Sequence, residues 1–169
     1  MEIRVVRADE FEEMMGMYYD VMDALPQSKF FDWKRGGYPQ PERIKRYIEN
    51  GEAYAGFEDG KIICAAVLNH RYNDGYSEAP WQIEAGEEET LMVHTLAVHP
   101  SYHGKGVSGA LVEEIKNIAR GMGLKAVRLD LIVGNVAAQK LYERAGFMFI
   151  EHYVSKVKDE EVYFYEFVL

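Results

Sequence analysis

The stretch VHTLAVHPSYHGKGVSGAL, residues 93–111, holds the most informative pattern in this sequence. A predicted strand ends at His99 and Pro100, and a predicted amphipathic helix begins directly after three closely spaced glycines. Glycine allows positive φ and close approach of the backbone to a ligand. The start of a helix presents unpaired N–H groups and a partial positive charge. This pattern predicts a phosphate-binding turn, because a plain strand-to-helix turn needs one glycine and not three.

The segments next to this turn predict a crossover unit. Residues 91–98 form its first strand, and the helix that follows has its apolar residues on one face and closes at Gly121 and Gly123. Residues 126–133 form a nearly continuous apolar run, which is typical of a buried parallel strand. Strand, helix and strand therefore make a right-handed βαβ unit.

The rest of the chain predicts a mixed α/β fold around this unit. Asp9 and Glu12 resemble a capping box, and Asp59-Gly60 is the turn of a hairpin. The resulting order, β-α-α-β-β-β-α-β-α-β-β, is that of a central mixed sheet with helices on both faces. The further elements are a strand at 3–5, a helix ending before Pro26, an irregular segment at 27–41, a helix at 41–50, strands at 53–57 and 61–69, a solvated loop at 71–89, a helix capped by Asn135, and antiparallel strands at 147–154 and 162–168.

Length, composition and charge exclude several classes of protein. The 169 residues suggest one domain, 1–169, and 48% hydrophobic with 28% charged residues is ordinary for a globular chain. The longest apolar run, 62–68, is far short of the ~20 residues of a membrane helix, and the first residues lack a secretory signal. The net charge of −9 argues against nucleic acid as a partner. Cys64, inside the apolar run, predicts a buried structural thiol and fits the reducing cytoplasm.

The glycines also permit a rival interpretation. GKGVSG, residues 104–109, matches the G-x-G-x-x-G spacing of dinucleotide sites, and Asp130 lies at about the distance where those sites place an acidic residue. The motif sits late in the chain, however, with room for one further crossover, whereas a dinucleotide-binding domain needs several. The Walker pattern is absent. A dinucleotide-dependent enzyme is therefore the less favoured alternative.

Two motifs in order resemble those of the GNAT N-acetyltransferase superfamily. LAVHPSYHGKGVS, residues 96–108, is similar to the family's acetyl-CoA signature, [Q/R]-x-x-G-x-[G/A] after an L-x-V-x-P strand end. NVAAQKLYERAGF, residues 135–147, matches N-x-x-A-x-x-L-Y-x-x-x-G-F. His103 stands where the signature has Gln or Arg, and Ser108 where it has Gly or Ala. The resemblance implies a single GNAT-like acyl-CoA N-acyltransferase domain with acetyl-CoA as the acetyl donor.

The resemblance also implies where acetyl-CoA binds. Leu96, Ala97 and Val98 would lie along the pantetheine arm, which adds to the strand edge as a further strand would. Asn135 and Ala138 would flank the end of the cofactor near its thiol, and Tyr142 would be the general acid. The pyrophosphate would be held by the backbone N–H groups of His103, Gly104, Lys105, Gly106, Val107, Ser108 and Gly109.

Acetyl transfer to an amine requires a group that removes a proton, because an alkyl ammonium is almost wholly protonated at neutral pH. His94 is the candidate base, since it precedes Leu96 by two residues and alternation puts both side chains on one side of a strand. The alternative is a half-buried, hydrogen-bonded histidine without a catalytic role. The N–H of Val98 is a candidate donor to the oxyanion. Other candidate bases are Glu84, Glu87, Glu88 and Glu89.

The acceptor is less sharply defined. Residues 19–38 and 71–89 are expected to build its pocket, and their aromatic and acidic residues favour a cationic, partly apolar amine. Ordinary packing of loop aromatics is the alternative.

The function predicted is acetyl transfer to a primary amine of a small molecule or a protein; a non-catalytic acyl-CoA sensor is the second candidate. No metal site is expected, and family analogy suggests a homodimer through the last strands. The aromatic candidates are Trp33, Tyr38, Tyr72 and Trp81.

Overall fold

The computed structural model describes residues 1–26, 33–157 and 159–169. Within them, strands and helices follow each other in the order that the sequence predicts. These elements are β1 (Glu2–Val5), α1 (Phe11–Ala24), α2 (Pro41–Glu49), β2 (Ala53–Glu58), β3 (Lys61–Asn69), β4 (Thr90–Val98), α3 (Val107–Gly121), β5 (Ala126–Ile132), α4 (Val136–Arg144), β6 (Met148–Val154) and β7 (Glu161–Val168).

The sheet is mixed and its strand order is β1-β2-β3-β4-β5-β7-β6. β4 and β5, joined by α3, are parallel, as predicted for the crossover unit. The pairs β1–β2, β2–β3, β5–β7 and β6–β7 are antiparallel. The prediction of a mixed α/β fold with a sheet flanked by helices is therefore confirmed.

The chain divides into two compact units. The first unit comprises Met1–Leu68 with Thr95–Leu111, and the second comprises Asn69–His94 with Val112–Leu169. Both β4 and α3 begin in one unit and continue into the other.

The first unit is organised around the β2–β3 hairpin. Asp59 and Gly60 have φ of +50° and +77°, the left-handed conformations of a two-residue hairpin turn, so the predicted hairpin is confirmed. Apolar residues of α1, α2, β2 and β3 form its core. Cys64 has no exposed surface, and burial raises the pKa of its thiol to about 11. The prediction of a buried structural thiol is confirmed.

The predicted cap of α1 is wrong in position. Arg7 and Glu10 take the places predicted for Asp9 and Glu12: the backbone N–H of Arg7 donates to the Glu10 carboxylate at 2.8 Å. The Glu10 carboxylate also pairs with Arg4 at 2.7 Å and with the Arg7 guanidinium at 2.8 Å. A 3₁₀ turn over Ala8–Glu10 therefore precedes α1.

The second unit contains residues 71–89, which are mostly irregular, as predicted, but are not a solvated insertion. Tyr76 has no exposed surface and packs against Trp81 and Phe164, with ring centroids 5.3 and 4.9 Å away. The buried Arg128 of β5 donates to the carbonyl oxygens of Ile83 and of Ala85. The segment is anchored because its aromatic rings and its carbonyl groups both find partners in this unit. No helix among the described residues is long and apolar enough to cross a bilayer.

Candidate active site

The end of β4 has a polar edge at Leu96 and Val98. The N–H of His99 donates to the carbonyl oxygen of Ile63 in β3 at 2.9 Å. Because successive residues of a strand turn their amide groups to opposite edges, Leu96 and Val98 direct theirs away from β3. The parallel ladder of β4 with β5 covers Thr90–Val93, so this edge lies beyond it. Ala97, between them, buries its methyl group in the core of the first unit.

The turn after β4 uses some of the N–H groups predicted to bind phosphate. A 3₁₀ turn spans Pro100–Tyr102, and the N–H of His103 donates to Pro100 O at 3.1 Å. The N–H of Lys105 donates to Tyr102 O at 3.3 Å. The His103 side chain also turns back, with Nε2 3.0 Å from the carbonyl oxygen of Val98. Both backbone donors and this imidazole are therefore engaged within the turn.

Five of the predicted donors stay available at the start of α3. The first N–H to bond back is that of Ala110, which donates to Gly106 O at 3.0 Å. Among the described residues, the N–H groups before it that lack an acceptor are those of Gly104, Gly106, Val107, Ser108 and Gly109. Such a row of donors at a helix start is an anion-binding surface.

The glycines keep this surface open. Gly104 and Gly106 have φ of +75° and +80°, which a side chain would strain, and a Cβ on either would meet no atom within 4 Å. Gly109 also faces open space. The first turn of α3 has no acidic residue that would repel an anion. The residues therefore fit the pyrophosphate of a nucleotide-like ligand.

Asn135 and Tyr142 lie in the second unit, on the helix α4. Asn135 caps the helix: its Oδ1 accepts from the N–H of Ala138 at 3.1 Å, so the predicted cap is confirmed. Tyr142 is buried, with 6% of its surface exposed, and its ring packs edge-on against Phe147. Burial, and after it the negative charge of Asp130, raise the pKa of Tyr142 above its ordinary value.

His94 lies in a hydrogen-bonded network of the second unit. Its Nε2 is 3.2 Å from Asn69 Oδ1, which also accepts the N–H of Arg71 at 3.0 Å. Because an amide oxygen only accepts, Nε2 is the ring nitrogen that donates at this contact. The other nitrogen, Nδ1, lies 3.5 Å from the donor Asn73 Nδ2, a contact in which Nδ1 offers its lone pair.

The same network reaches Asp130. Asn73 Nδ2 donates to Asp130 Oδ2 at 2.7 Å, and the hydroxyl of Tyr76 donates to the same oxygen at 3.0 Å. No local pattern predicts these partners of His94, because they come from separate segments of the chain. The alternation used to place His94 beside Leu96 does not hold strictly, since Thr95 between them has φ of +49°.

The acidic candidates for the base are engaged or exposed. Glu89 pairs with Lys125, whose hydrogen bond holds the pKa of that carboxyl below its usual range. Glu87 accepts the N–H of Tyr72 at 3.2 Å. Glu84 and Glu88 are exposed. Among the described residues, no group of three His, Cys, Asp or Glu is arranged to hold a metal ion.

The aromatic residues predicted for the acceptor pocket form two separate groups. Trp33 and Tyr38 meet edge-on in the first unit, with centroids 5.9 Å apart. Tyr72 and Trp81 belong to the second unit, where both pack against Tyr76. The hydroxyl of Tyr72 and the indole N–H of Trp81 donate to backbone carbonyl groups, so both side chains hold the segment 71–89. Residues 27–32 of the predicted pocket lie outside the described residues.

A parallel crossover whose glycine turn leaves N–H donors open at a helix start is typical of a protein that binds a phosphate-bearing ligand. The family model of the Acetyltransferase (GNAT) family matches residues 18–147, and the chain belongs to this family. The family is one of acetyltransferases, and its members use acetyl-CoA.

Characterised and uncharacterised acetyltransferases are among its relatives. Streptothricin acetyltransferase of Escherichia coli is 30% identical over 99 residues, 59% of this chain and 48% of that enzyme, so the match spans about half of the relative's length. The uncharacterized N-acetyltransferase YycN of Bacillus subtilis is 28% identical, over 59% of this chain and 76% of that protein. N-alpha-acetyltransferase RimI of Mycobacterium tuberculosis is 40% identical over 55 residues, 32% of this chain and 33% of RimI.

Solved structures share the fold along nearly the whole chain. A GNAT acetyltransferase of Streptococcus agalactiae superposes with a TM-score of 0.79 at 22% identity, over 99% of this chain and 95% of that one. The acetyltransferase yncA of Salmonella typhimurium, solved with its cofactor acetyl-CoA, gives a TM-score of 0.71 at 17% identity, over 100% and 94% of the two chains.

Proposed function

We propose that this chain transfers the acetyl group of acetyl-CoA to a primary amine of a small molecule or a protein, by direct attack in a ternary complex. The observation that carries the proposal is the row of unpaired N–H groups at the start of α3, at Gly104 and from Gly106 to Gly109. This row supports binding of the pyrophosphate of acetyl-CoA. Since His103 and Lys105 use their N–H groups within the turn, we assign them no backbone contact with phosphate.

The remaining cofactor contacts are proposed from the second motif and from the edge of β4. The amide groups of Leu96 and the N–H of Val98 point away from β3 and suit an extended pantetheine arm, whereas the carbonyl oxygen of Val98 is already contacted by His103. The N–H of Val98 is the proposed donor to the acetyl oxygen. Asn135 and Ala138 are proposed to flank the thiol end of the cofactor, and since Asn135 Oδ1 caps α4, its side-chain amide N–H groups would make that contact.

The proposed proton transfers use two side chains. Acetyl-CoA supplies an activated thioester, and the chain must deprotonate the attacking ammonium and protonate the departing thiolate. We assign the first step to Nδ1 of His94, which offers its lone pair to Asn73, and the second to the hydroxyl of Tyr142. The negative charge of Asp130, whose carboxylate accepts from the same Asn73 amide, would stabilise the imidazolium that forms.

The class of acceptor is proposed from the relatives and the acidic balance. The names of two relatives differ in what they acetylate: one is a streptothricin acetyltransferase and the other an N-alpha-acetyltransferase. A net charge of −9 suits an acceptor that arrives as a cation. A primary amine is therefore the acceptor class proposed for this chain.

Calorimetry tests the proposal. We expect the wild-type protein to bind acetyl-CoA with a micromolar Kd and to give no signal with NAD. Ser108→Asp places a carboxylate in the first turn of α3, where it should weaken acetyl-CoA binding more than tenfold, while the isosteric control Ser108→Asn changes it less than threefold. Ser108→Asp should not lower Tm, because an acidic residue is favourable at a helix start, and Ser108→Asn adds no charge there.

Other outcomes would overturn the proposal or redirect it. NAD binding without acetyl-CoA binding would establish the dinucleotide alternative. Acetyl-CoA binding without thiol release, across a panel of small amines and peptide N-termini, would establish a non-catalytic acyl-CoA sensor. Equal weakening by both Ser108 variants would argue against a phosphate contact at this turn.

Three further proposals concern the chain as a whole. We propose that residues 1–169 are one acetyltransferase domain, since β4 and α3 each run through both units; a single cooperative thermal transition is expected. The buried thiol of Cys64 supports a reducing compartment such as the cytoplasm. A homodimer through β6 and β7 is supported by the exposed Met148 and Phe149 on β6, and light scattering would test it.

A further inference from the structure

Thr95 interrupts β4 with a backbone conformation that its side chain disfavours. Its φ is +49°, in the left-handed region that glycine adopts freely and that a β-branched residue adopts only when its surroundings impose it. The residue is buried, with 7% of its surface exposed. It directly precedes Leu96, the first residue whose amide groups are proposed to bind the pantetheine arm.

The hydroxyl of Tyr18 contacts both the backbone carbonyl group and the side-chain hydroxyl group of Thr95. It donates to the carbonyl oxygen of Thr95 at 3.0 Å and lies 3.3 Å from Thr95 Oγ1. Tyr18 has no exposed surface and comes from the middle of α1. Its ring packs edge-on against Trp33, with centroids 5.8 Å apart. The tyrosine is thus fixed on its ring side and holds Thr95 with its hydroxyl.

We propose that Tyr18 is a positioning residue for acetyl-CoA binding, because its hydroxyl holds Thr95 in the left-handed conformation. That conformation sets the direction in which the amide groups of Leu96 and Val98 leave the strand. Without the hydroxyl, Thr95 adopts an extended conformation in part of the molecules. Only the molecules that keep the left-handed conformation bind acetyl-CoA, so the apparent Kd rises. This inference rests on the proposed binding of acetyl-CoA along β4, and it adds a residue that lies in neither motif.

Tyr18→Phe is the first variant, since it keeps the ring contact with Trp33 and removes only the hydroxyl. We expect its Kd and KM for acetyl-CoA to rise between about threefold and thirtyfold. The KM for the amine should stay within twofold of the wild-type value. Tyr47→Phe is the matched control: it removes a tyrosine hydroxyl that accepts from Arg43 in the same unit, and acetyl-CoA binding should not change.

Thr95→Gly provides the rescue. Glycine adopts a positive φ without the clash of a β-branched side chain, so it needs no hydroxyl to hold it. We therefore expect Tyr18→Phe combined with Thr95→Gly to bind acetyl-CoA within about twofold of Thr95→Gly alone. If Tyr18→Phe alone does not fold, recovery of folding in the double variant supports the same role, and failure to recover contradicts it.

Two results would overturn the inference. One is a folded Tyr18→Phe protein with a lower Tm and unchanged acetyl-CoA affinity, which would make Tyr18 a core residue only. The other is a loss of affinity that Thr95→Gly does not reverse. A wild-type protein that fails to bind acetyl-CoA would instead contradict the proposed function, so the two failures are distinguishable.

Discussion

Arg128 and Glu166 form an ion pair, 2.9 Å between Nε and Oε1, in which neither side chain has any exposed surface. The other guanidinium nitrogens donate to the hydroxyl of Tyr72 and to two carbonyl oxygens of the segment 71–89. The second oxygen of Glu166 accepts the N–H of Gln82 at 2.7 Å. This pair therefore joins β5 and β7 to the segment 71–89, and it satisfies the polar groups that the segment buries.

Removal of one member of this pair should be costly. Arg128→Met leaves the Glu166 carboxylate buried without its cation, and we expect the free energy of unfolding to fall by about 3–5 kcal/mol. Arg128→Met with Glu166→Gln removes both charges and should recover part of that loss. Urea denaturation measures all three proteins. A loss below about 1 kcal/mol for Arg128→Met would show that the pair does not hold the segment.

Glu10 should make the stability depend on acid pH. The hydrogen bond from Arg4 is the main cause that lowers the pKa of Glu10 to about 2 in the folded protein. Because the pKa of Glu10 is lower in the folded than in the unfolded protein, its ionised carboxylate stabilises the fold. This stabilisation is present above the unfolded pKa of about 4.3 and is lost as the pH falls through about 2.

Glu10→Gln tests this dependence. We expect it to lower the free energy of unfolding at pH 7 by about 1–3 kcal/mol, since a hydrogen bond to a charged group is lost. The difference from wild type should shrink between pH 4.5 and pH 2, as measured by urea denaturation at each pH. A difference that stays constant over this interval would contradict the assignment to the ionised carboxylate.

Tyr142→Phe should separate chemistry from binding. The ring keeps its buried contact with Phe147 while the hydroxyl is lost, so we expect kcat to fall by about 10²–10⁴ with little change in Kd for acetyl-CoA. Because the pKa of Tyr142 is raised, the hydroxyl stays protonated up to pH 10, and no loss of wild-type kcat from its ionisation should occur below that pH. A Tyr142→Phe enzyme with normal kcat would show that another group protonates the thiolate.

His94→Gln tests the proposed base. We expect kcat at pH 7 to fall by about 10²-fold with unchanged acetyl-CoA binding. His70→Gln is the matched control, because His70 is likewise hydrogen-bonded to an amide-type oxygen, the backbone carbonyl oxygen of Thr90, and has no proposed role in catalysis. If the two variants have equal and nearly normal activity, His94 is a hydrogen-bonded histidine without a part in proton transfer.

Local signals account for the elements that the sequence predicted well. The Asp59-Gly60 turn, the Asn135 cap and the glycine at the end of α3 each act on their nearest neighbours, and the structure has them in the predicted places. The cap of α1 was misplaced because Arg4 and Arg7 draw Glu10 into an ion pair, an interaction that a capping pattern does not include.

The site could be predicted only in part. The glycine turn and the start of α3 follow from one contiguous stretch, whereas the bonds that use the N–H groups of His103 and Lys105 depend on the 3₁₀ turn before them. The partners of His94 come from β3, from the segment 71–89 and from β5, and nothing in their local sequence links them. The role of Tyr18 depends on the φ of a residue far along the chain.

The position of β7 has a consequence for synthesis on the ribosome. β7 follows β6 in the chain but lies between β5 and β6 in the sheet. β6 is thus translated before the strand that it pairs with, and its apolar residues Met148, Phe149 and Val154 emerge without a partner. Until β7 has also left the ribosome and paired with it, β6 is an unpaired, apolar strand, which is the kind of segment that chaperones bind and that aggregates. We expect the yield of folded enzyme to depend on how quickly the residues of β7 follow.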